Sequence, residues 1–290
     1  MIRLSFSQNK IENAAHEEST QKIDLVTWTL NSAKTLPFTL TSIEKAIPRK
    51  HVNQKFMVDG HSTDETTNIG KMFGWNVVDA KRVGIPYQAN QALEMVETEF
   101  FASFEHDVIL NPNWLPAMLK HLRSDPQVAV AQGVRVATNF VLKSIEEVSL
   151  ERNIRYSSLD NTLYRTDVIR CINGFDPRYP ISCDRDLQSR VWKAGYKWIV
   201  DKTVVSDHLR GSVWQNAEHI YNLSKFAEYT DNPSLSEVLP RFLFSPFRGA
   251  EITIKKDCPQ AFVVYPYLRF ALLKTALKAV SELKQLKSQT

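Results

Sequence analysis

Between Ile23 and Phe104, short apolar and β-branched runs alternate with stretches of helical spacing, and this rhythm constrains the fold more than any single motif. Ile23 to Leu30 reads as a strand, after which Leu40, Ile43 and Ile47 recur at helical spacing until Pro48 closes the run. Gln54 to Val58, Trp75 to Asp79 and Phe100 to Phe104 read as further strands. The helices between them are read with Ile69, Met72 and Phe73 on one buried face, and over Gln88 to Val96. Ser62 with Glu65 three residues later resembles a capping box. Such alternation predicts an α/β domain with a mainly parallel central sheet and helices on both faces. Ligands of such sheets gather at the carboxyl ends of the strands. Thr29, Asn31, Asp59, Glu105 and Asp107 all fall at predicted strand ends.

The run FASFEHDVILNPNWL, Phe101 to Leu115, carries an apolar strand into the acids Glu105 and Asp107. In an extended strand alternate side chains share a face, so the two carboxylates would stand together with His106 turned away. Hard oxygen ligands of this kind suit Mg²⁺ or Mn²⁺ held against substrate phosphates. No GxGxxG follows the first strand and no GxxxxGK[ST] occurs, so a dinucleotide oxidoreductase and a P-loop phosphotransferase lose their main support. A metal at the acidic pair would supply the counter-charge that bound phosphates need.

Further along, Val128 to Val136 is apolar, and Thr162 to Tyr179 contains the turn-forming pair Asn173-Gly174. Leu187, Val191 and Ala194 then mark one face of a helix that Gly195 ends. Asp184 lies on the inward side of that helix at its N-terminus, where a buried carboxylate can serve as a general base. Asp186 and Arg190, spaced i and i+4, read as a solvated ion pair. Strands at Lys197 to Val200 and Thr203 to Val205 lead to His208, which could complete a metal shell or contact a phosphate, with Arg210 adding charge to the same site.

Composition sets the class: 43% hydrophobic and 23% charged residues describe a globular chain. Net charge is +4, yet from Arg241 onward nine Lys/Arg face three acids, which leaves about −2 for the rest and points to an anionic partner for the C-terminus. Cys171, Cys183 and Cys258 form neither a disulfide framework nor a zinc pattern. The first twenty residues are polar with no signal-type apolar run, so the expected location is cytoplasmic.

In sequential order, roughly from Ile23 to Arg210, these pieces resemble family 2 glycosyltransferases of the GT-A fold. DLVTWTLN, Asp24 to Asn31, is similar to the family's opening strand and its Thr-x-Asn loop, and MVDGHSTDET, Met57 to Thr66, to its Val-Asp-x-x-Ser-Thr-Asp-x-Thr segment. GIPYQANQAL resembles the segment ending in a nucleotide-side Asn, here Asn90, and FEHDVILNPNWL occupies the position of the DxD motif with Glu105 in place of its first Asp. NGFDPRYPISCDRDLQSRVWKAGYKW resembles the Gly-Phe-Asp loop, the Glu-Asp acceptor motif and the helix after it, which puts Asp184 at the general-base position and Cys183 where Glu is usual. His208 matches a His that follows the last strand in many relatives. Gly60 replaces a second Asp that faces the nucleoside in many relatives, and Asp59 remains as the nucleoside contact.

The resemblance implies a Rossmann-like GT-A domain and an inverting, hexosyltransferase-type reaction. A sugar would pass from a nucleotide diphosphate sugar to a glycan or lipid-linked acceptor, with Mn²⁺ or Mg²⁺ on Asp107 and His208. Thr29, Asn31, Asp59, Asn90, Glu105, Asp107 and Arg210 would contact substrate, and Asp184 would take the acceptor proton. No nucleic-acid partner is expected. The competing reading is a catalytically inactive sugar-nucleotide-binding regulatory or assembly subunit, favoured by Glu105 and Cys183. The domains expected are a polar leader over 1–22, the catalytic domain over 23–212, and a mostly helical, basic C-terminal extension over 213–290. In the extension Leu272, Leu273, Ala276, Val280, Leu283 and Leu286 line one side of a helix. That stripe reads either as packing on the domain or a second subunit, or as peripheral attachment to the anionic inner face of the cell membrane.

Overall fold

The structure is a computed structural model that describes residues 21–152, 156–209, 212–214, 217 and 234–289. Among the described residues eight strands form one sheet in the order β3-β2-β1-β4-β7-β6-β8-β5. The first half follows the alternation of the sequence: β1 (Ile23–Thr29), α1 (Leu36–Ala46), β2 (Val52–Asp59), α2 (Thr66–Met72), β3 (Asn76–Asp79), α3 (Ile85–Met95) and β4 (Phe100–Phe104). Strand β1 pairs in parallel with β2 and β4, and β2 with β3, so Thr29 and Asp59 end at the same edge of the sheet.

The second half departs from a simple parallel sheet. It comprises β5 (Val108–Ile109), α4 (Trp114–Ser124), β6 (Val128–Ala137), α5 (Phe140–Glu151), β7 (Asn161–Arg165), α6 (Thr166–Cys171), α7 (Cys183–Lys193) and β8 (Lys197–His208). Strand β7 is antiparallel to both β4 and β6, whereas β6 and β8 are parallel. The two short strands expected around Lys197 and Thr203 are one strand of 12 residues, β8. Its pairing with β6 shifts register at Gly133/Val134. A Cβ at Gly133 would lie 2.7 Å from the Val204 carbonyl oxygen, so the close approach there requires glycine.

Apolar side chains leave both faces of the sheet. One layer joins Leu25, Met57 and Phe104 to Leu36, Leu40 and Ile43 of α1 and to Trp114 and Met118 of α4. The opposite layer joins Val26, Phe101 and Tyr164 to Ala89 and Ala92 of α3 and to Cys183, Leu187 and Val191 of α7. Ile69 and Phe73 pack on the first layer as expected, but Met72 is 83% exposed. It ends the short helix α2, and Phe73 takes the inward position beside it. The capping box is also absent. Helix α2 has no side-chain cap from Glu65; instead Asp64 accepts from the Thr66 amide at 3.0 Å, and Ser62 is drawn toward Asp59.

Helices α8 (Leu235–Leu243), α9 (Ser245–Lys256) and α10 (Ala261–Gln289) follow. Ile252, Cys258, Ala261 and Tyr265 bury Ile145 and Val148 of α5. Lys255 and Lys256 pair with Glu151 and Glu147 of the same helix. Part of the positive charge of the C-terminus therefore ties the extension to the sheet domain. In the predicted stripe, Leu273 and Ala276 are buried on Val238 of α8 with Leu272 alongside, which is the packing use of that face. The side chains of Leu283 and Leu286 lie outside the described set. No helix among the described residues is long and apolar enough to cross a membrane.

Candidate active site

Where β1 and β2 end, a closed set of hydrogen bonds shapes the first loop. Asp59 is buried; its Oδ1 accepts from the Thr29 and Ser62 hydroxyls at 2.8 and 2.7 Å, and its Oδ2 accepts from the Ser62 amide at 2.7 Å. Asn31 sits in the left-handed region at φ 49°, where its Oδ1 accepts from the Thr63 amide at 2.9 Å. Thr29, Asn31 and Asp59 are thus brought together, and their side chains hold the loop in shape. Gln88, buried on α3, donates to the carbonyls of Thr29 and Val58 at 3.2 and 2.9 Å. The sequence reading passed over Gln88, although a glutamine between apolar helix positions was a visible signal.

Asn90 has a different employment. Its Nδ2 donates to the Phe175 carbonyl at 2.7 Å and its Oδ1 accepts from the Phe175 amide at 2.8 Å, a two-point clamp on the loop after α6. Gly174, at φ 60°, leaves room for the clamp, since a Cβ there would fall 2.4 Å from the Asn90 Oδ1. The Asn173-Gly174 turn forms as expected.

The acidic pair is not held in an extended strand. Strand β4 ends at Phe104, Glu105 to Asp107 form a turn, and His106 Nδ1 meets the Thr35 hydroxyl at 3.1 Å. Glu105 and Asp107 therefore do not share one face of a strand, as the alternation had predicted. Asp107 is placed by a different device: β5 pairs antiparallel with the end of β8, matching Val108 to His208, and the Leu209 amide donates to the Asp107 carbonyl at 2.7 Å. His208 Nε2 then lies 3.0 Å from Asp107 Oδ2. Glu105 comes off the end of β4, its amide 3.4 Å from the Asp160 carbonyl. Arg210 lies outside the described residues.

Two residues missed by the sequence reading complete this corner. Arg135 of β6 donates to His208 Nδ1 and forms an ion pair with the buried Asp160, which precedes β7. Burial opposes the Arg135 charge, and Tyr156, Glu105, Glu146 and Asp107 outweigh it and raise the pKa. For Asp107, burial alone would raise the pKa. The His208 hydrogen bond and the attraction of His208, His106 and Arg135 overcome this and hold the carboxyl well below the usual range. Asp107 Oδ1 is buried and has no hydrogen-bond partner among the described residues. An ionised oxygen left bare in this way fits a hard divalent cation. No group of three or more His, Cys, Asp or Glu residues arranged for a metal occurs among the described residues, so Asp107 would need substrate oxygens to complete a shell.

Asp184 stands at the first turn of α7, where its Oδ2 accepts from the Ser157 hydroxyl at 3.0 Å. Burial pushes its pKa up, against the Ser157 bond, the Arg185 amide and the charges of Arg185 and Arg135. The charge of Arg135 favours the ionised form of both Asp107 and Asp184, the weakest of the influences named on each. Asp186 pairs with Arg190 at 2.6 Å as the spacing predicts, but the pair is half-buried rather than solvated, because Arg190 also donates to the Ile172 carbonyl. A separate groove of about 760 Å³ between α1 and α4, lined by Lys45, Lys50, Lys120 and Arg123, contains none of these acids.

Among solved structures, a mannosyltransferase from Pyrobaculum calidifontis, in complex with GDP-Man and Mn²⁺, shares 17% identity at a TM-score of 0.56 over 92% of this chain and 80% of that one. Residues 1–349 of TarS from S. aureus share 18% at 0.54, covering 70% and 64% of the respective chains. Glucosyl-3-phosphoglycerate synthase from Mycobacterium tuberculosis, in complex with Mn²⁺, UDP and phosphoglyceric acid, shares 15% at 0.51, covering 68% and 73%. At these identities the likeness establishes the GT-A fold. No match was found among curated proteins. The model of the family described as "Glycosyl transferase family 2" matches residues 24–175, which takes in Asp59, Asp107, Arg135 and Asp160 and stops short of Asp184 and His208. With just over half of its length matched to that family, the chain belongs to glycosyl transferase family 2.

Proposed function

We propose that this glycosyltransferase moves a hexosyl group from a nucleoside diphosphate sugar to a hydroxyl of a glycan or lipid-linked acceptor, with inversion at the anomeric carbon. The observation that carries the reading is two carboxyl groups in unlike surroundings: Asp107, bound by His208 at one oxygen and bare at the buried other, is held ionised, and Asp184, at the first turn of α7, is pushed up by burial. Carboxyl groups driven apart in this way divide the tasks of charge stabilisation and proton transfer.

Asp184 takes the acceptor proton as the hydroxyl oxygen attacks the anomeric carbon, and the bond from that carbon to the diphosphate breaks on the opposite side. Its raised pKa makes it a stronger base than a solvated aspartate. Asp107 would hold Mn²⁺ or Mg²⁺ through its bare Oδ1, and a bound ion would supply Lewis-acid neutralisation of the departing diphosphate. The loop of Thr29, Asn31 and Asp59 forms the nucleoside side of the site, with its polar groups fixed before substrate arrives.

The test is a thermal-shift panel of UDP-, GDP- and dTDP-sugars with and without Mn²⁺, followed by a transfer and donor-hydrolysis assay with the stabilising donor. A metal-dependent shift with turnover supports the reading. A shift without turnover over a broad acceptor panel moves the chain to the non-catalytic alternative. Localisation is tested by co-sedimentation with anionic vesicles. Recovery in the pellet supports attachment through the exposed Leu243, Phe244 and Phe247, and recovery in the supernatant leaves the C-terminal helices as a packing module.

A further inference from the structure

The groove between α1 and α4 lies apart from the acids of the site. Both helices pack on the layer of the sheet that holds Leu25 and Met57, whereas α7, which carries Asp184, packs on the opposite layer. At about 760 Å³ the groove has the size of a ligand cleft. Lys45 enters it from the last turn of α1, Lys50 from the turn Arg49–His51, and Lys120 and Arg123 from neighbouring positions on α4.

Among the described residues its lining holds no Asp or Glu. The acids nearest in the chain are turned elsewhere: Glu44 pairs with Lys55 at 3.6 Å and Asp125 with Lys197 at 2.7 Å. Cations in the last turn of a helix offset its dipole, which accounts for Lys45 and Arg123. Lys50 and Lys120 lie outside those turns, and both are exposed. Positive charge of one sign gathered in a concave surface focuses its field on whatever anion enters.

The floor has a different character. Ala46, Leu115 and Leu119 are buried beneath the groove, and Pro48, Pro112 and Pro116 are exposed along it. A lone phosphate or carboxylate would leave most of the cations unpaired and the apolar floor uncovered. A chain of phosphates joined by carbon units satisfies both, with its charges on the walls and its carbon on the floor. The lining has no Phe, Tyr or Trp, so it lacks the stacking platforms that hold single-stranded nucleic acids. A flat bilayer would meet the rims and leave the floor empty.

We propose that the groove between α1 and α4 is a docking site for a linear phosphodiester chain built on small polyol units, separate from the transfer site. The chain is held there on the face of the sheet opposite Asp184, so docking and transfer are independent events.

The test uses the full chain and a synthetic glycerol-phosphate oligomer, with affinity measured by calorimetry over a range of salt concentrations. Each cation that neutralises a phosphate of a single-stranded polyanion adds about 0.7 to the fall of log K with log salt, so the contacts of Lys45, Lys50, Lys120 and Arg123 should give a slope of about −3. Lys50→Gln with Lys120→Gln should reduce the slope to about −1.5 and weaken binding, and Lys50→Arg with Lys120→Arg should keep the wild-type slope. Transfer to a small acceptor should be unchanged in both double variants. No binding by the wild type, or a slope that the Gln substitutions leave unaltered, overturns the proposal. Polyuridine bound as tightly through the same lysines would make the groove a nucleic-acid site, and lysine-dependent sedimentation with phosphatidylglycerol vesicles would make it a lipid contact. Inorganic polyphosphate bound as tightly as the oligomer would leave the apolar floor without a part. Each of these three results also overturns the proposal. Because the binding measurement needs neither donor nor metal, its outcome is read separately from that of the transfer assay.

Discussion

Replacing Asp184 with Asn separates catalysis from stability in opposite directions. The amide is nearly isosteric and its oxygen can still accept from the Ser157 hydroxyl, which donates to Asp184 Oδ2 at 3.0 Å. In the role proposed for Asp184, the variant loses the base and keeps the Ser157 contact. General-base catalysis contributes about 10²- to 10⁴-fold in rate, and at about 1.36 kcal/mol per decade this amounts to about 3–5 kcal/mol of activation free energy. The kcat of transfer should fall by that factor, while the donor-induced thermal shift stays within error of the wild type.

Stability should move the other way. Burial raises the Asp184 pKa in the fold, so the ionised form is disfavoured there relative to the unfolded chain. The folded state then binds more protons than the unfolded state between the two pKa values, and stability falls as pH rises through that window. Above it the wild type bears the full cost of a buried charge, and the amide does not. The Tm of Asp184→Asn should equal or exceed that of the wild type at pH 7–8, with the difference vanishing below about pH 4, near the ordinary aspartate pKa. The same reasoning puts the acid limb of kcat/KM above the usual aspartate range. Ser157→Ala, which removes a hydrogen bond to the ionised form, should move that limb to higher pH. Wild-type kcat in Asp184→Asn, or a Tm that drops equally at pH 4 and pH 8, would refute the argument.

Asp107→Asn should abolish the Mn²⁺-dependent part of donor binding in calorimetry. Because the Asp107 pKa is depressed, its stabilising ionisation is complete above the unfolded value of about 3.9 and is lost only as pH falls through the lower folded value, so metal affinity should show no Asp107 titration above about pH 5. Asp24, buried in β1, accepts from the amides of Gln54, Glu97 and Thr98 and from Asn53 Nδ2. Asp24→Ala leaves these donors stranded, and urea denaturation should show a loss of about 3–5 kcal/mol, the range for breaking a buried charged network. Asp59→Ala removes three hydrogen bonds to one carboxylate and should cost about 3 kcal/mol, with faster hydrogen exchange at Ser62 and Thr63 as the local sign.

Much of the first half of the fold was legible because its information is local. Each of the first four strands is a short apolar run, each helix has its own spacing, and parallel strands joined by helices follow one handed pattern. Thr29 and Asp59 were found for the same reason, as polar residues where such runs stop. Errors arose wherever a residue's position depends on a distant partner. Glu105 and Asp107 were assigned to one face by extending β4 past Phe104, but the chain turns there. The insertion of antiparallel β7 between β4 and β6 has no counterpart in the alternation.

Arg135 did leave a trace in the sequence. It is the one charged residue in VAVAQGVRVA, a strand whose pattern otherwise demands burial, and a charge in such a place must be paired. Its partners could not be read from β6 alone, since Asp160 belongs to the approach to β7 and His208 to the end of β8. The same holds for Asp107 and His208, which are 101 residues apart and meet because Val108 pairs with His208 across β5 and β8. An acidic pair in the sequence thus identifies a candidate carboxylate without deciding its chemistry. Its surroundings come from a half-buried cation on one strand and an imidazole on another, and together they hold Asp107 ionised with one oxygen bare.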